Sequence, residues 1–101
     1  MKTISVVKDY TRFPAGRYRT DGPYSGERFR EEFLAPALKE NPVVTVQLDG
    51  AAGYGSSFLD EAFGGLVRAS VIEADKTDKR LKLESADESL IEEIRSYMEA
   101  T

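Results

Sequence analysis

Two adjacent serines, Ser56 and Ser57, stand between a glycine-rich turn and an amphipathic helix, in the stretch VVTVQLDGAAGYGSSFLDEAFGGLV, residues 43–67. A serine hydroxyl at the start of a helix lies beside unpaired backbone N–H groups and the positive end of the helix dipole. That setting favours an anion or a phosphoryl group. The alternative is that one of the serines only caps the helix. The residues therefore predict a candidate anion or phosphorylation site and leave the function open.

The turn DGAAGYGSS matches none of the common nucleotide or nucleophile motifs. A P-loop would need Gly-Lys-Ser/Thr after the glycines, and Gly50, Gly53 and Gly55 do not have the spacing of a dinucleotide fingerprint. A nucleophile elbow would need Gly-x-Ser-x-Gly and a histidine base. Each enzyme interpretation therefore lacks a component, and we expect a noncatalytic protein.

Asp49 ends the apolar strand, where it could orient the turn through Asx-type hydrogen bonds or take part in a site, and we favour the turn role. Adjacent helical side chains diverge by about 100°, so we interpret the pair Asp60 and Glu61 as a solvated face rather than one site. The arginines of the preceding loop, Arg12, Arg17 and Arg19, could contact an anion or a partner. We interpret them as solvated as well.

The composition excludes several classes of protein. The 14 basic and 18 acidic side chains give a formal charge of -4, which disfavours nonspecific binding to nucleic acid. The sequence has no cysteine and no histidine, which excludes thiolate and histidine-rich metal sites and Ser-His-Asp hydrolysis. We expect no metal and no cofactor. Since no apolar segment approaches the ~18 residues of a membrane span, we expect a soluble, cytoplasmic protein.

Hydrophobic periodicity predicts alternating strands and helices. The predicted strands are Thr3–Lys8, Val43–Leu48 and Arg80–Ser85, with a short additional strand around Arg17–Thr20. The predicted helices begin after Ser25, at Ser56 or Ser57, and after Ser85 or Asp87. Pro36 should kink or break the first helix.

This order of elements predicts a single α/β domain over residues 1–101 with a mixed or mainly parallel sheet. In open sheets of this kind, ligands bind outside the carboxyl ends of the strands. The two serines fall at that place.

Three segments, GERFREEFLAPALKE, VVTVQLDG and SSFLDEAFGGLVR, resemble the STAS-like family of small bacterial domains of unknown function (DUF4325). More distantly, the order of strand, turn, serine and helix is similar to STAS domains such as anti-sigma factor antagonists. The resemblance implies a small mixed sheet of about four strands packed with about three to four helices. It also implies a regulatory serine at the start of the helix after the central strand.

Carried over by position, that regulatory serine matches Ser56, with Ser57 as the second candidate phosphoacceptor. The resemblance implies a regulatory, signalling module that contacts a protein partner, for which a histidine-kinase-like ATPase is the candidate. The interaction or anion-binding turn then comprises Asp49, Gly53, Tyr54, Gly55 and Phe58. The alternative is a small anion- or nucleotide-binding domain that uses the helix N-terminus at Ser56 and Ser57.

Overall fold

A computed structural model describes residues 1–100 and places three short parallel strands at the centre of the molecule. The strands are β1 (Lys2–Ser5), β2 (Val44–Gln47) and β3 (Leu81–Glu84), in the order β1-β2-β3. The register pairs Ile4 with Val46 and Val46 with Leu83. The predicted central position of the Val43–Leu48 run is confirmed, because β2 is hydrogen-bonded on both sides and its apolar side chains are buried.

Three helical runs of several turns pack on this sheet, which confirms the predicted α/β class. The helices are α1 (residues 26–40), α2 (residues 56–68) and α4 (Glu88–Glu99), and a single turn, α3 (Thr77–Arg80), precedes β3. Ser25 caps α1 as predicted, since its hydroxyl accepts a 3.2 Å hydrogen bond from the backbone N–H of Arg28. Asp87 caps α4, accepting hydrogen bonds from the backbone N–H groups of Ser89 and Leu90.

The four-strand count is not confirmed, and the sheet formed by the described residues is parallel rather than mixed. The segment around Arg17 and Thr20, predicted as a strand, is irregular and contains a 3-10 turn at Arg19–Asp21. The carboxylate of Asp21 accepts hydrogen bonds from the backbone N–H groups of Arg17 and Tyr18, which closes the segment into a turn. Gly16 and Arg17 direct their carbonyls to the first N–H groups of α1 instead of to a sheet edge.

The strand β1 is shorter than predicted. Residues Val6–Tyr10 leave the sheet as a π-helical turn. The hydroxyl of Ser5 accepts a hydrogen bond from the N–H of Lys8, and the carboxylate of Asp9 accepts one of 2.8 Å from the N–H of Ser5. The first of these bonds engages the N–H of Lys8 in a local turn, which competes with continuation of the β-branched run in the sheet.

The prediction at Pro36 was a kink or a break, and the backbone stays helical through this residue, which rules out the break. A π-helical segment, Arg30–Leu34, directly precedes the proline. The N–H of Ala35 donates to the carbonyl of Arg30, five residues earlier. The π-helical turn shifts the backbone hydrogen bonds just before Pro36, which has no N–H to donate. The helix continues past the proline and ends at Glu40.

The core lies between the sheet and helices α1, α2 and α4. Its largest fully buried side chains include Phe29, Phe58, Phe63, Leu34, Leu38, Leu59, Leu66 and Ile94. Helices α1 and α2 are in close contact at Gly26, where a Cβ would collide with the carbonyl oxygen of Phe58 and lie 3.1 Å from the backbone nitrogen of Ala62. Within residues 1–100, no helix has the length and apolar character that crossing a membrane requires.

Candidate functional site

The two predicted serines lie exposed in the first turn of α2 and cap nothing. Gly55 is the N-cap residue, with φ of −73° and ψ of 148°, and Ser56 and Ser57 are the first two helical residues. The prediction that Ser56 or Ser57 caps the helix is therefore wrong. Both hydroxyls stay accessible at the end of the loop that follows the carboxyl end of β2.

Ser56 faces the last turns of α4. The phenolic O–H of Tyr97 donates a 2.6 Å hydrogen bond to the carboxylate of Glu93. This bond, together with burial, raises the pKa of Tyr97, whereas a hydrogen bond with the Ser56 side chain acts in the opposite direction. Ser56 thus has a tyrosine and a carboxylate of α4 as neighbours.

Phe58 belongs to the core and not to the surface of the turn. Its side chain is 0% exposed, and its ring stacks on Phe29 with centroids 6.0 Å apart. Tyr54 packs against Phe58 at 6.1 Å and donates a 2.6 Å hydrogen bond from its hydroxyl to the carbonyl of Leu48. Burial raises the pKa of Tyr54 to about 12, with a smaller contribution from Asp49. Both rings fasten the turn to the core, whereas Gly53 and Gly55 are exposed.

Asp49 holds two loops together at the carboxyl end of the sheet. One carboxylate oxygen accepts a 2.6 Å hydrogen bond from the hydroxyl of Ser85, and the other accepts a 2.9 Å bond from the N–H of Ala86. These bonds, that from Ser85 first, lower the pKa of Asp49. The carboxylate thus binds the loop between β3 and α4, whereas the prediction was an Asx-type bond within its own turn.

Asp60 and Glu61 form a half-buried cluster with three arginines, which overturns their interpretation as a solvated face. Arg17 lies 2.7 Å from the carboxylate of Asp60 and 3.6 Å from that of Glu61. Arg68 likewise reaches both acids, at 3.1 Å and 3.7 Å. Arg30 donates a 2.6 Å bond to the carboxylate of Glu61 and a 2.7 Å bond to its carbonyl, and the side chains of this pair are only 11% and 12% exposed.

The Asp60 carboxylate is shared between two cations. Burial alone would raise the pKa of Asp60, but the hydrogen bonds from Arg17 and Arg68 outweigh burial, and the pKa is lowered. Three guanidinium groups face two carboxylates in this arginine cluster (Arg17, Arg30, Arg68, Asp60 and Glu61), so it carries one excess positive charge. Arg17 also anchors the loop of residues 9–25 to α2.

The glycine pair in α2 makes room for this cluster. A Cβ at Gly65 would collide with the guanidinium group of Arg30. A Cβ at Gly64 would lie 2.7 Å from a carboxylate oxygen of Asp60 and 3.2 Å from the carbonyl of Tyr97. Glycine is a poor helix former, but a larger side chain at these two positions would displace the ion pairs and α4. This explains the glycine pair in α2.

Comparison with known proteins assigns the chain to a family. The family model described as "STAS-like domain of unknown function (DUF4325)" matches residues 25–90, about two thirds of the chain. The chain belongs to this family. The match covers α1, all of the turn, α2 and β3, together with the start of α4. No curated protein and no solved structure matches the chain significantly.

A cavity of about 320 Å³ opens at the carboxyl ends of β2 and β3 in this STAS-like domain. Its lining includes Asp49, Asp87 and Glu93 together with Tyr54, Ser89 and Leu90. The charged side chains of this lining are all acidic, and each already accepts a hydrogen bond from within the protein. The cavity is therefore a poor receptor for phosphates, and among residues 1–100 no cluster of acids, histidines and cysteines is arranged to hold a metal ion.

Sequence reasoning missed the arginine cluster of the STAS-like domain because its members are far apart in the chain. Arg17 and Asp60 are 43 residues apart, and Arg30 and Glu61 are 31 apart. One local feature points to the cluster. Asp60 and Glu61 directly precede the buried segment Ala62–Leu66, with its two glycines, and acids next to a buried stretch of helix need cationic partners.

Proposed function

We propose that this STAS-like domain is a noncatalytic regulatory module that contacts a protein partner and is switched by phosphorylation of Ser56. The observation that carries the proposal is the position of Ser56. Its hydroxyl is exposed in the first turn of α2, beyond the carboxyl end of the central strand, in a chain that belongs to a STAS-like family. The phosphoryl donor is ATP with Mg²⁺ on a histidine-kinase-like ATPase, and Ser57 is the second candidate acceptor.

The surroundings of Ser56 also support a modified serine. The structure reduces the repulsion that Asp60 and Glu61 would exert on a phosphoryl group, because three arginines neutralise both acids. Backbone N–H groups in the first turn of α2 add favourable dipoles. A phosphoryl group adds about two negative charges, which is enough to change how a partner recognises the turn.

The contact surface leaves out three residues of the predicted turn: Asp49 and Tyr54, whose side chains form hydrogen bonds within the domain, and Phe58. Phe58 is buried, so the partner would meet the exposed Gly53, Gly55, Ser56 and Ser57. Phe13 is the nearby exposed aromatic side chain that we add to this surface. It is 67% exposed, and its neighbour Arg12 accepts a 2.9 Å hydrogen bond through its carbonyl from the N–H of Ala52 in the turn. Exposed aromatic residues commonly anchor protein contacts.

The test is phosphorylation by a candidate kinase. The domain is incubated with ATP, Mg²⁺ and each histidine-kinase-like ATPase encoded in the same genome, and its intact mass is measured. We expect one added phosphoryl group that Ser56→Ala abolishes and Ser57→Ala retains. If an ATPase that binds the domain and hydrolyses ATP adds no phosphoryl group, phosphorylation by that partner is rejected.

The contact itself is tested separately. Phe13→Ala should weaken binding of the same ATPase at least tenfold without unfolding the domain. Tyr18→Ala is the matched control. Tyr18 is also an exposed aromatic residue, at 49%, but it is six residues away from Arg12, whose carbonyl binds the turn. Equal affinity of the wild type and Phe13→Ala would remove Phe13 from the proposed surface. Stabilisation of the domain by free nucleotide or phosphate would instead favour the anion-binding alternative.

A further inference from the structure

Ser56 contacts helix α4 through the side chain of Tyr97. The Ser56 hydroxyl and the phenol of Tyr97 are hydrogen-bond partners, and the phenol donates a 2.6 Å bond to the carboxylate of Glu93. The bond to Glu93 raises the pKa of Tyr97, as an acceptor of the phenol proton does, whereas the bond with Ser56 lowers it, as a donor to the phenol oxygen does. Two consecutive hydrogen bonds therefore run from the serine on α2 to the carboxylate on α4.

Helix α4 is attached to the domain by few side chains. Of its 12 residues, two are buried, Ile94 and Met98. The backbone of Tyr97 also lies close to α2, since a Cβ at Gly64 would be 3.2 Å from the Tyr97 carbonyl. Elements with few buried side chains open at the lowest free energy cost. The last turns of α4, residues 94–99, are therefore sensitive to a change at Ser56.

The charge of α4 is strongly negative. The helix contains four glutamates and one arginine, Arg95. The guanidinium group of Arg95 donates to the carbonyls of Thr77 and Leu81 at the start of β3. In a parallel sheet, this is the end opposite to the one that the first turn of α2 follows. Arg95 therefore does not neutralise Glu93, whose carboxylate is bonded to the neutral phenol of Tyr97.

A phosphoryl group on Ser56 opposes both of these hydrogen bonds. It replaces the hydroxyl proton, so the Ser56 side chain no longer donates to Tyr97, and it brings between one and two negative charges toward Glu93. If the phenol of Tyr97 donates to the phosphate instead, Glu93 loses its hydrogen bond and lies beside a like charge. The phosphate is favourable for α2 itself, because Ser56 is the first residue of that helix. The unfavourable interaction therefore acts on α4.

We propose that phosphorylation of Ser56 loosens the last turns of α4 from α2, so that the attachment of this helix depends on the modification. The inference rests on the proposed function for its biological role. Loosening of these turns exposes Ile94 and Met98, which are 0% and 1% exposed in the unmodified domain. The modified domain then differs from the unmodified one in apolar surface as well as in charge, and a partner can distinguish the two forms by both.

The experiment installs phosphoserine at position 56 during chemical synthesis of the full chain and measures amide hydrogen exchange by NMR. We expect the amides of residues 94–98 to exchange about tenfold faster or more than in the unmodified chain, while the amides of β2 keep their protection. Phosphoserine at position 57 is the matched control. Ser57 is also exposed but projects about 100° away around the helix, so exchange at residues 94–98 should change by less than about twofold.

Glu93→Gln tests the electrostatic cause of the loosening. Glutamine still accepts the phenol proton of Tyr97 but carries no charge, so in this variant phosphoserine 56 should accelerate exchange at residues 94–98 by no more than about threefold. Glu92→Gln removes the same charge from an exposed neighbouring position of α4, and there the full acceleration should persist. Each comparison is between the modified and unmodified forms of one variant, so the effect of the substitution itself on stability cancels.

Equal exchange at residues 94–98 with and without phosphoserine 56 would overturn the inference. Equal acceleration in the wild type and in Glu93→Gln, or loss of protection in β2 as well, would also overturn it. The modification is installed without a kinase, which separates this test from that of the proposed function. Loosening of α4 in a domain that no kinase phosphorylates would reject the proposed function alone, and phosphorylation by a kinase without loosening would reject the inference alone.

Discussion

The carboxylate of Asp49 accepts a 2.6 Å hydrogen bond from the hydroxyl of Ser85, and this bond connects the loops that leave two neighbouring parallel strands. The carboxylate of Asp49 also accepts a hydrogen bond from the N–H of Ala86. The hydroxyl of Ser85 in turn accepts one from the N–H of Asp87, the residue that caps α4. One carboxylate therefore sets where β2 ends and where α4 begins.

Substituting Asp49 with asparagine should destabilise the domain in a pH-dependent way. The pKa of Asp49 is lowered in the folded state, so its ionised form stabilises the protein above the ordinary aspartate value of about 4, and this contribution disappears as pH falls through the folded pKa. Urea unfolding should show a lower midpoint for Asp49→Asn at pH 7 and a much smaller difference at pH 3. A difference that is independent of pH would contradict the assignment.

Alanine at Gly26 should destabilise the protein, although alanine is the better helix former. The new Cβ would collide with the carbonyl of Phe58 on α2, and backbone cannot yield as a side chain can. We expect a loss of about 1–3 kcal/mol in the free energy of unfolding, typical of overpacking. Gly53→Ala is the matched control, because nothing lies within 4 Å of its Cβ, and it should change stability by less than about 0.5 kcal/mol.

Phe58→Ala should unfold the domain or reduce its stability by about 3–5 kcal/mol, as expected for a large side chain removed from a core. Phe13→Ala, at an exposed position, should leave stability within about 0.5 kcal/mol of the wild type. Chemical denaturation of the two variants checks this contrast. If Phe58→Ala folded with wild-type stability, the buried position of the ring would be wrong.

Three of the five tyrosines have a raised pKa, and two of them, Tyr10 and Tyr54, should titrate later than Tyr97. Burial raises the pKa of Tyr10 and of Tyr54 to about 12 in each case. Because the folded pKa lies above the unfolded value of 10, burial of the neutral phenols stabilises the protein below pH 10, and this contribution is lost as pH rises toward 12. In an absorbance titration, Tyr54→Phe should show one late-titrating phenol fewer than the wild type. The free energy of unfolding of this variant should also fall by about 1 kcal/mol, because the hydrogen bond to the carbonyl of Leu48 is lost.

Long periodic segments were predictable from the sequence, and short polar ones were not. The apolar spacing of Phe29, Leu34 and Leu38 predicts the buried face of α1 because each residue contributes on its own to the same stripe. The end of β1 was missed because the side chain of Ser5 binds the backbone N–H of Lys8 locally, in place of strand pairing. A hydrophobic pattern contains no information about such competition.

The position of the candidate site was predictable, but its chemistry was not. A strand followed by glycines and a helix places Ser56 beyond the carboxyl end of β2 by topology alone. The charge balance of the arginine cluster on α2 depends on Arg17 and Arg68, which reach Asp60 from a distant loop and from the far end of α2. Pairwise contacts over such separations follow only from the folded backbone.

The hydrogen bond from the N–H of Ser5 to Asp9 bears on how this domain avoids self-association. The outer edge of β1 is a template to which a further strand, from another copy or a fibril, could add. Lys2 directs its N–H inward to Val43, so the N–H groups of Thr3 and Ser5 face outward, and Asp9 already occupies the second. An incoming strand would therefore meet the carboxylate of Asp9 instead of a free N–H at Ser5. This disfavours the addition of a further strand to β1, and with it aggregation through this edge.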